Sequence, residues 1–163
     1  MNAVTIEPAQ SYLKLRSHIL NLSPAEIGLS PSSITPHVWG VLMETGYTVG
    51  TSTLVSLADG TTSLFYSTGG GLLGSGEYSP VAKASKALVS QAENHLQHMS
   101  SANEFPLPEV GQVRFILLTY AGIFSAVVPE KTIASGAHLL SPLFKLANDT
   151  LSQLRLLAEK KSK

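Results

Sequence analysis

The sequence predicts an α+β fold, a five-stranded, mainly antiparallel sheet packed with two long helices in the order α-βββ-α-ββ-α. Three observations carry this expectation. Asp59-Gly60 is a hairpin signal between two stretches rich in Thr, Val, Leu, Phe and Tyr. Two long segments, 79–99 and one starting at Ser141, repeat apolar residues at spacings of three and four. All strand connections are short except the one that crosses the middle helix, so the sheet is antiparallel rather than built from parallel crossovers.

Taken in order, residues 8–20 form a first helix, with Tyr12, Leu15 and Ile19 on one stripe. Ser23-Pro24-Ala25-Glu26 follows as a capping box with Pro at the first helical position, and Gly28 stops it after about one turn. Pro31 and Pro36 make the rest a linker. The expected organisation is a single globular domain in which 1–36 is an N-terminal helix and linker and 37–163 is the α+β body. The first three strands are 37–47, 51–60 and 61–68. The Asp59-Gly60 turn between the last two is expected to be of type I′, with positive φ at both residues. Neither face of these strands is purely polar, so both are expected to be at least partly covered.

The middle helix, 79–99, has Ser79 as N-cap and Pro80 at the first helical position. Val81, Ala84, Leu88, Ala92, Leu96 and Met99 make a narrow stripe, which suits close packing. Strands 112–120 and 123–129 are joined tightly around Ala121-Gly122. The last helix starts at Ser141-Pro142 and carries Leu143, Ala147, Thr150, Leu154 and Leu157 on one stripe. It closes on positive charge, where the helix dipole favours it.

Composition narrows the function classes. The 163 residues carry 11 basic and 11 acidic side chains, so there is no excess of cations for nucleic acid. Only 13% of residues are charged, against about 25% in ordinary soluble proteins. A surface so short of charge is tolerated best when part of it is covered, which points to a homodimer or a protein partner. The chain has no cysteine, which excludes disulfides, thiol nucleophiles and Cys-ligated metal. The stretch 115–128 is shorter than the ~18 residues of a membrane helix, and the start lacks the basic and apolar regions of a secretory signal. The expectation is a soluble cytoplasmic protein that engages neither membrane nor nucleic acid.

Candidate sites are few. Gly69, Gly70, Gly71, Gly74 and Gly76 fall within eight residues and meet a GxGxxG spacing after a strand. Such a loop can bind an anion through backbone N–H groups, with Arg114 as a candidate cation. The context differs from a dinucleotide fingerprint, because about five further residues separate Gly74 from the helix and the preceding strand belongs to a hairpin. The competing reading is a tight crossing from strand to helix with Leu72 and Leu73 turned into the core. Arg114 lies in an otherwise apolar strand, where it must pair, snorkel or face a partner.

His95 and His98 share a helical face, but two ligands fall short of a metal site, and they read as solvated histidines near a helix C-terminus. Glu44 and Glu77 are the carboxylates free to meet in a cleft. No nucleophile elbow occurs, so no catalytic residue is assigned and no cofactor is expected. Trp39 and Tyr47 flank the first strand and read as core and rim; by residue type they are, with Tyr66, also candidate interface anchors.

The stretch 38–77, with its "LADGTTSL" hairpin before the glycine run, resembles a small bacterial protein family without an assigned activity. The element order is similar to that of class I type III secretion chaperones, small dimers that hold an unfolded effector segment. Those chaperones are markedly acidic, whereas this chain is neutral. Roadblock and profilin-like domains also set a five-stranded sheet between helices and often dimerise, although they place two strands before the middle helix and three after it. The functional expectation is a non-catalytic, self-associating interaction domain. The alternatives are an anion- or small-ligand-binding domain using residues 69–76, and a chaperone-like binder of an unfolded segment.

Overall fold

A computed structural model describes residues 7–161; residues 1–6 of the expected N-terminal unit, with Ser162 and Lys163, lie outside the described residues. The chain forms an α+β fold around one antiparallel sheet. Helix α1 (Gln10–Leu20) leads through a 3-10 turn at Pro24–Ile27 to β1 (Val38–Tyr47), β2 (Gly50–Leu57), β3 (Thr62–Tyr66) and β4 (Gly71–Leu72). Helix α2 (Ser79–Ala92), a 3-10 stretch (Glu93–His98) and β5 (Ser100–Ser101) follow. Strands β6 (Gln112–Thr119) and β7 (Gly122–Pro129) and helices α3 (Glu130–Ala134) and α4 (Ser141–Lys161) complete it.

Among the described residues the sheet has seven strands in the order β4-β3-β2-β1-β6-β7-β5, which corrects the expected five. The five long strands are those expected. The two additions are two-residue strands, one on each edge.

β1 lies at the centre, paired with β2 and β6, and all its residues but Tyr47 are buried. A strand covered on both faces needs a continuous apolar run, not an alternation, and "VWGVLM" supplies one. On one face Val41, Met43, Leu54, Phe115 and Leu117 pack beneath Leu88 and Val89 of α2 and Leu143, Ala147 and Leu154 of α4. On the other, Leu42, Val55, Leu57, Phe65, Ile116 and Leu118 pack beneath Tyr12 of α1. A bulge between Val38 and Gly40 turns Trp39 to the α1 side. The N-terminal helix therefore closes the second face of the sheet.

Several local expectations are corrected. The 57–61 turn is not of type I′, because no residue except glycine has positive φ among the described residues. Gly60 alone does (φ 94°). Asp59 Oδ1 accepts the Thr61 N–H, and Leu57 N–H donates to Thr61 O, closing a three-residue loop of the turn-plus-bulge kind. Ser23 precedes its 3-10 turn but makes no side-chain cap. The middle helix ends at Ala92, and residues 93–98 tighten into 3-10 geometry.

Gly46 shows how closely the loop before β6 lies on β1. A Cβ there would stand 2.1 Å from the Glu109 carbonyl oxygen, and the Gly46 carbonyl itself accepts the Gly111 N–H. Gly46→Ala is expected to displace the 108–111 segment and cost about 1–3 kcal/mol, read from the urea midpoint.

Candidate functional site

The glycine run makes a hairpin and a crossing. Tyr66 N–H donates to Gly70 O and Gly69 N–H donates to Tyr66 O, so residues 67–70 turn the chain from β3 into β4. Gly71 then lies against β3, where a Cβ would be 2.2 Å from the Leu64 carbonyl oxygen. Gly74 N–H donates to the Ser63 hydroxyl, and Gly76 packs against the Gly60 backbone. The N–H groups of Gly69 and Gly74 are thus engaged within the fold. Leu72 is partly buried against the α2/α4 core, whereas Leu73 stays exposed. Arg114 sits on β6, four strand spacings from β4, or ~19 Å. The structure does not bring it to the glycines.

The interface candidates separate. Trp39 is only 3% exposed and belongs to the α1-side core, in line with its core reading, which corrects its candidacy as an interface anchor. Tyr47 and Tyr66 are 48% and 41% exposed. Both line a groove of about 410 Å³ with Leu72 of β4 and Leu151, Arg155 and Ala158 of α4. Tyr66 also lines a second groove of about 430 Å³ with Tyr12, Leu15, Gly70 and Leu73. The end of β3 is thus an aromatic ridge between two partly apolar grooves, one on each face of the sheet.

Beneath α1 lies a polar cluster that no spacing in the sequence shows whole. Arg16 donates from Nε and Nη2 to the two oxygens of Glu44, at 2.7 and 2.8 Å, and from Nη2 to the Phe105 carbonyl at 2.6 Å. Thr53 Oγ1 donates to Glu44 at 2.9 Å. Its one proton is thereby spent, so the Tyr12 hydroxyl, 2.7 Å away, donates to Thr53. Burial first, and then the Glu44 charge, push the Tyr12 phenol up to about 12, which keeps that proton in place. Arg114, opposite Glu44 across the β1–β6 pair, donates to the Pro106 carbonyl and the Ser125 hydroxyl.

Glu44 is therefore a structural counter-ion, and it does not meet Glu77, which lies in the 3-10 turn before α2. Arg16 was not singled out from the sequence. The signal was present: it stands four residues from Tyr12 on the helix stripe, a cation on the inward face.

His95 and His98 do come together, with Nδ1 atoms 3.4 Å apart, but among the described residues no group of three or more ligating side chains gathers around a metal position. His95 is 5% exposed, not solvated as expected. Burial, and secondarily the neighbouring His98, lower its affinity for a proton. A base held down in the fold takes up its proton more readily when unfolded, so stability is intact above the unfolded value near 6.5 and falls on acidification through it. Urea unfolding between about pH 7 and pH 5 is expected to show this loss, with a shallower slope in His95→Gln.

Glu93, at the start of the same 3-10 stretch, accepts the backbone N–H groups of His37 and Val38 and so anchors the start of β1.

No family model matches the chain, and no curated protein and no solved structure is significantly similar to it. The resemblances in element order therefore stand on that order alone. No described helix is long and apolar enough to cross a membrane.

Proposed function

We propose that the chain is a non-catalytic interaction domain that self-associates as a homodimer through the Tyr47–Tyr66 end of the sheet. The observation that carries this reading is the exposed tyrosine pair set between two grooves, with Leu72, Leu73 and Leu151 beside it. Aromatic side chains with an apolar body and a polar tip are favoured interface anchors. The occupant that fits is a second copy. With a net charge of zero and only 13% charged residues, two chains meet without long-range repulsion and with little charge to desolvate. The buried ionisable groups under α1 support the same reading, since Arg16 is paired with Glu44 and the Tyr12 hydroxyl is held by Thr53. A fold with no cysteine has no need of an oxidising compartment, which supports a cytoplasmic setting.

Tyr66→Glu tests the surface directly. A charge on the ridge between the grooves is expected to weaken self-association by roughly 30-fold, the scale of one interface hot spot, with folding stability almost unchanged. Sedimentation velocity of both proteins reads the shift. Equal association in the variant would remove this surface from the proposal.

A further inference from the structure

We infer that two copies of the chain meet across a two-fold axis at Tyr47 and Val49, which sets the Glu109–Val110 corner of each against the Arg155 end of α4 in the other. This arrangement rests on the self-association proposed above and names what each copy presents to its partner. Val49 and Val110 are 62% and 61% exposed, at the same end of the sheet as Tyr47. Val49 stands in the turn between β1 and β2. The Glu109 carbonyl lies against Gly46, and Gly111 N–H donates to the Gly46 carbonyl, so the corner sits directly beside Tyr47 on the β6 side. On the β2 side is the groove that Tyr47 lines together with Tyr66 and Arg155. Tyr66 ends β3, two strand spacings from β1, or ~10 Å. A strip of Tyr66, Val49, Tyr47 and Val110 therefore has a cation on one flank and a carboxylate on the other.

The neighbouring charges keep that polarity. Arg155 and Glu109 are both exposed, and among the described residues neither has a hydrogen bond or ion pair within the fold. Residues 155–161 hold three cations (Arg155, Lys160, Lys161) and one carboxylate (Glu159), a formal +2. At the corner, Glu130 donates its N–H to the Gly111 carbonyl and so brings a second carboxylate beside Glu109. With Lys131 counted, Glu109 and Glu130 leave a formal −1. Arg114 lies behind the corner but is held by Pro106 and Ser125, and the charges that act on it are those of Glu44 and Arg16.

A two-fold axis through the middle of the strip exchanges its flanks, so each Arg155 meets the other copy's carboxylate and the contact occurs twice. Copies that met with their Arg155 ends together would set like charges face to face. Exposed ion pairs add little affinity, so the tyrosines and valines supply it and the charges fix which way the copies meet. Two-fold closure also stops assembly at two chains, whereas head-to-tail addition of the same surfaces would run on.

Sedimentation velocity of the native chain, Glu109→Lys, Arg155→Glu and the double variant tests the arrangement. Each single reversal sets like charges together at two places and is expected to weaken self-association roughly tenfold. The double variant restores opposite charges and is expected to return to within about threefold of the native chain. Raising the salt to about 0.5 M is expected to narrow these differences. Trp39 fluorescence reports that each variant keeps the fold. Single variants that associate like the native chain, a double variant as weak as the singles, or species larger than two chains would overturn the inference. Tyr66→Glu tells which reading has failed. If it weakens association and the paired reversal gives no rescue, the surface stands and this arrangement falls. If it too has no effect, the surface falls with it.

Discussion

Glu44→Ala is expected to destabilise the fold by about 3–5 kcal/mol, because it strands the Arg16 guanidinium under α1 without its counter-ion. Glu44 is fully buried and accepts hydrogen bonds from Arg16 and Thr53, so the loss also unpairs the Thr53 hydroxyl that receives the Tyr12 proton. In a domain of this size the change corresponds to a Tm drop of roughly 6–20 °C. Removing both charges behaves differently. The pair Arg16→Met with Glu44→Leu leaves no buried ion and is expected to recover most of the loss, since a buried ion pair gives little net stability over a well-packed apolar one. Urea unfolding followed by fluorescence of the single tryptophan, Trp39, measures both variants, because that side chain lies in the α1-side core. A single variant as stable as the native chain would show that the ion pair does not hold α1 to the sheet.

The second large effect comes from neighbouring positions on β6. Phe115 and Ile116 are both fully buried, yet Phe115 belongs to the core under α2 and α4 and Ile116 to the core under α1. Phe115→Ala is expected to cost about 3–5 kcal/mol and Ile116→Ala about 2–5 kcal/mol, through lost burial and the cavities left behind. Consecutive residues of a strand point to opposite faces, so a sheet bare on either side would leave one of the two substitutions nearly silent. Comparable losses in both, measured by urea unfolding, are the result that a doubly covered sheet requires.

What was legible in the sequence follows from how each element is stabilised. Helices α2 and α4 and the five long strands show in the apolar pattern, because burial against a neighbour imposes a period. Strands β4 and β5 have two residues each, too few to carry any period, and they exist only through pairing with β3 and β7. The end of α2 was misplaced because Leu96 and Met99 continue the stripe. The backbone tightens at Glu93, whose carboxylate is held by the N–H groups of His37 and Val38 at the start of β1.

Trp39 reads as core from the apolar run around it, but the face it joins is set by the bulge at Val38–Gly40, and bulges leave little trace in one sequence. The Arg16–Glu44 pair was half legible. A carboxylate in an apolar strand and a cation on an apolar helix stripe were both present. Only the packing of α1 across β1 and β2 joins them.

The most direct measurement for the proposed role is the solution mass of the native chain by light scattering across a wide concentration range. Self-association through the tyrosine ridge predicts a mass that rises toward twice the 17.3 kDa of one chain as concentration increases. A mass that stays at one chain throughout would contradict it, and the exposed Tyr47 and Tyr66 would then have to serve a different partner or none.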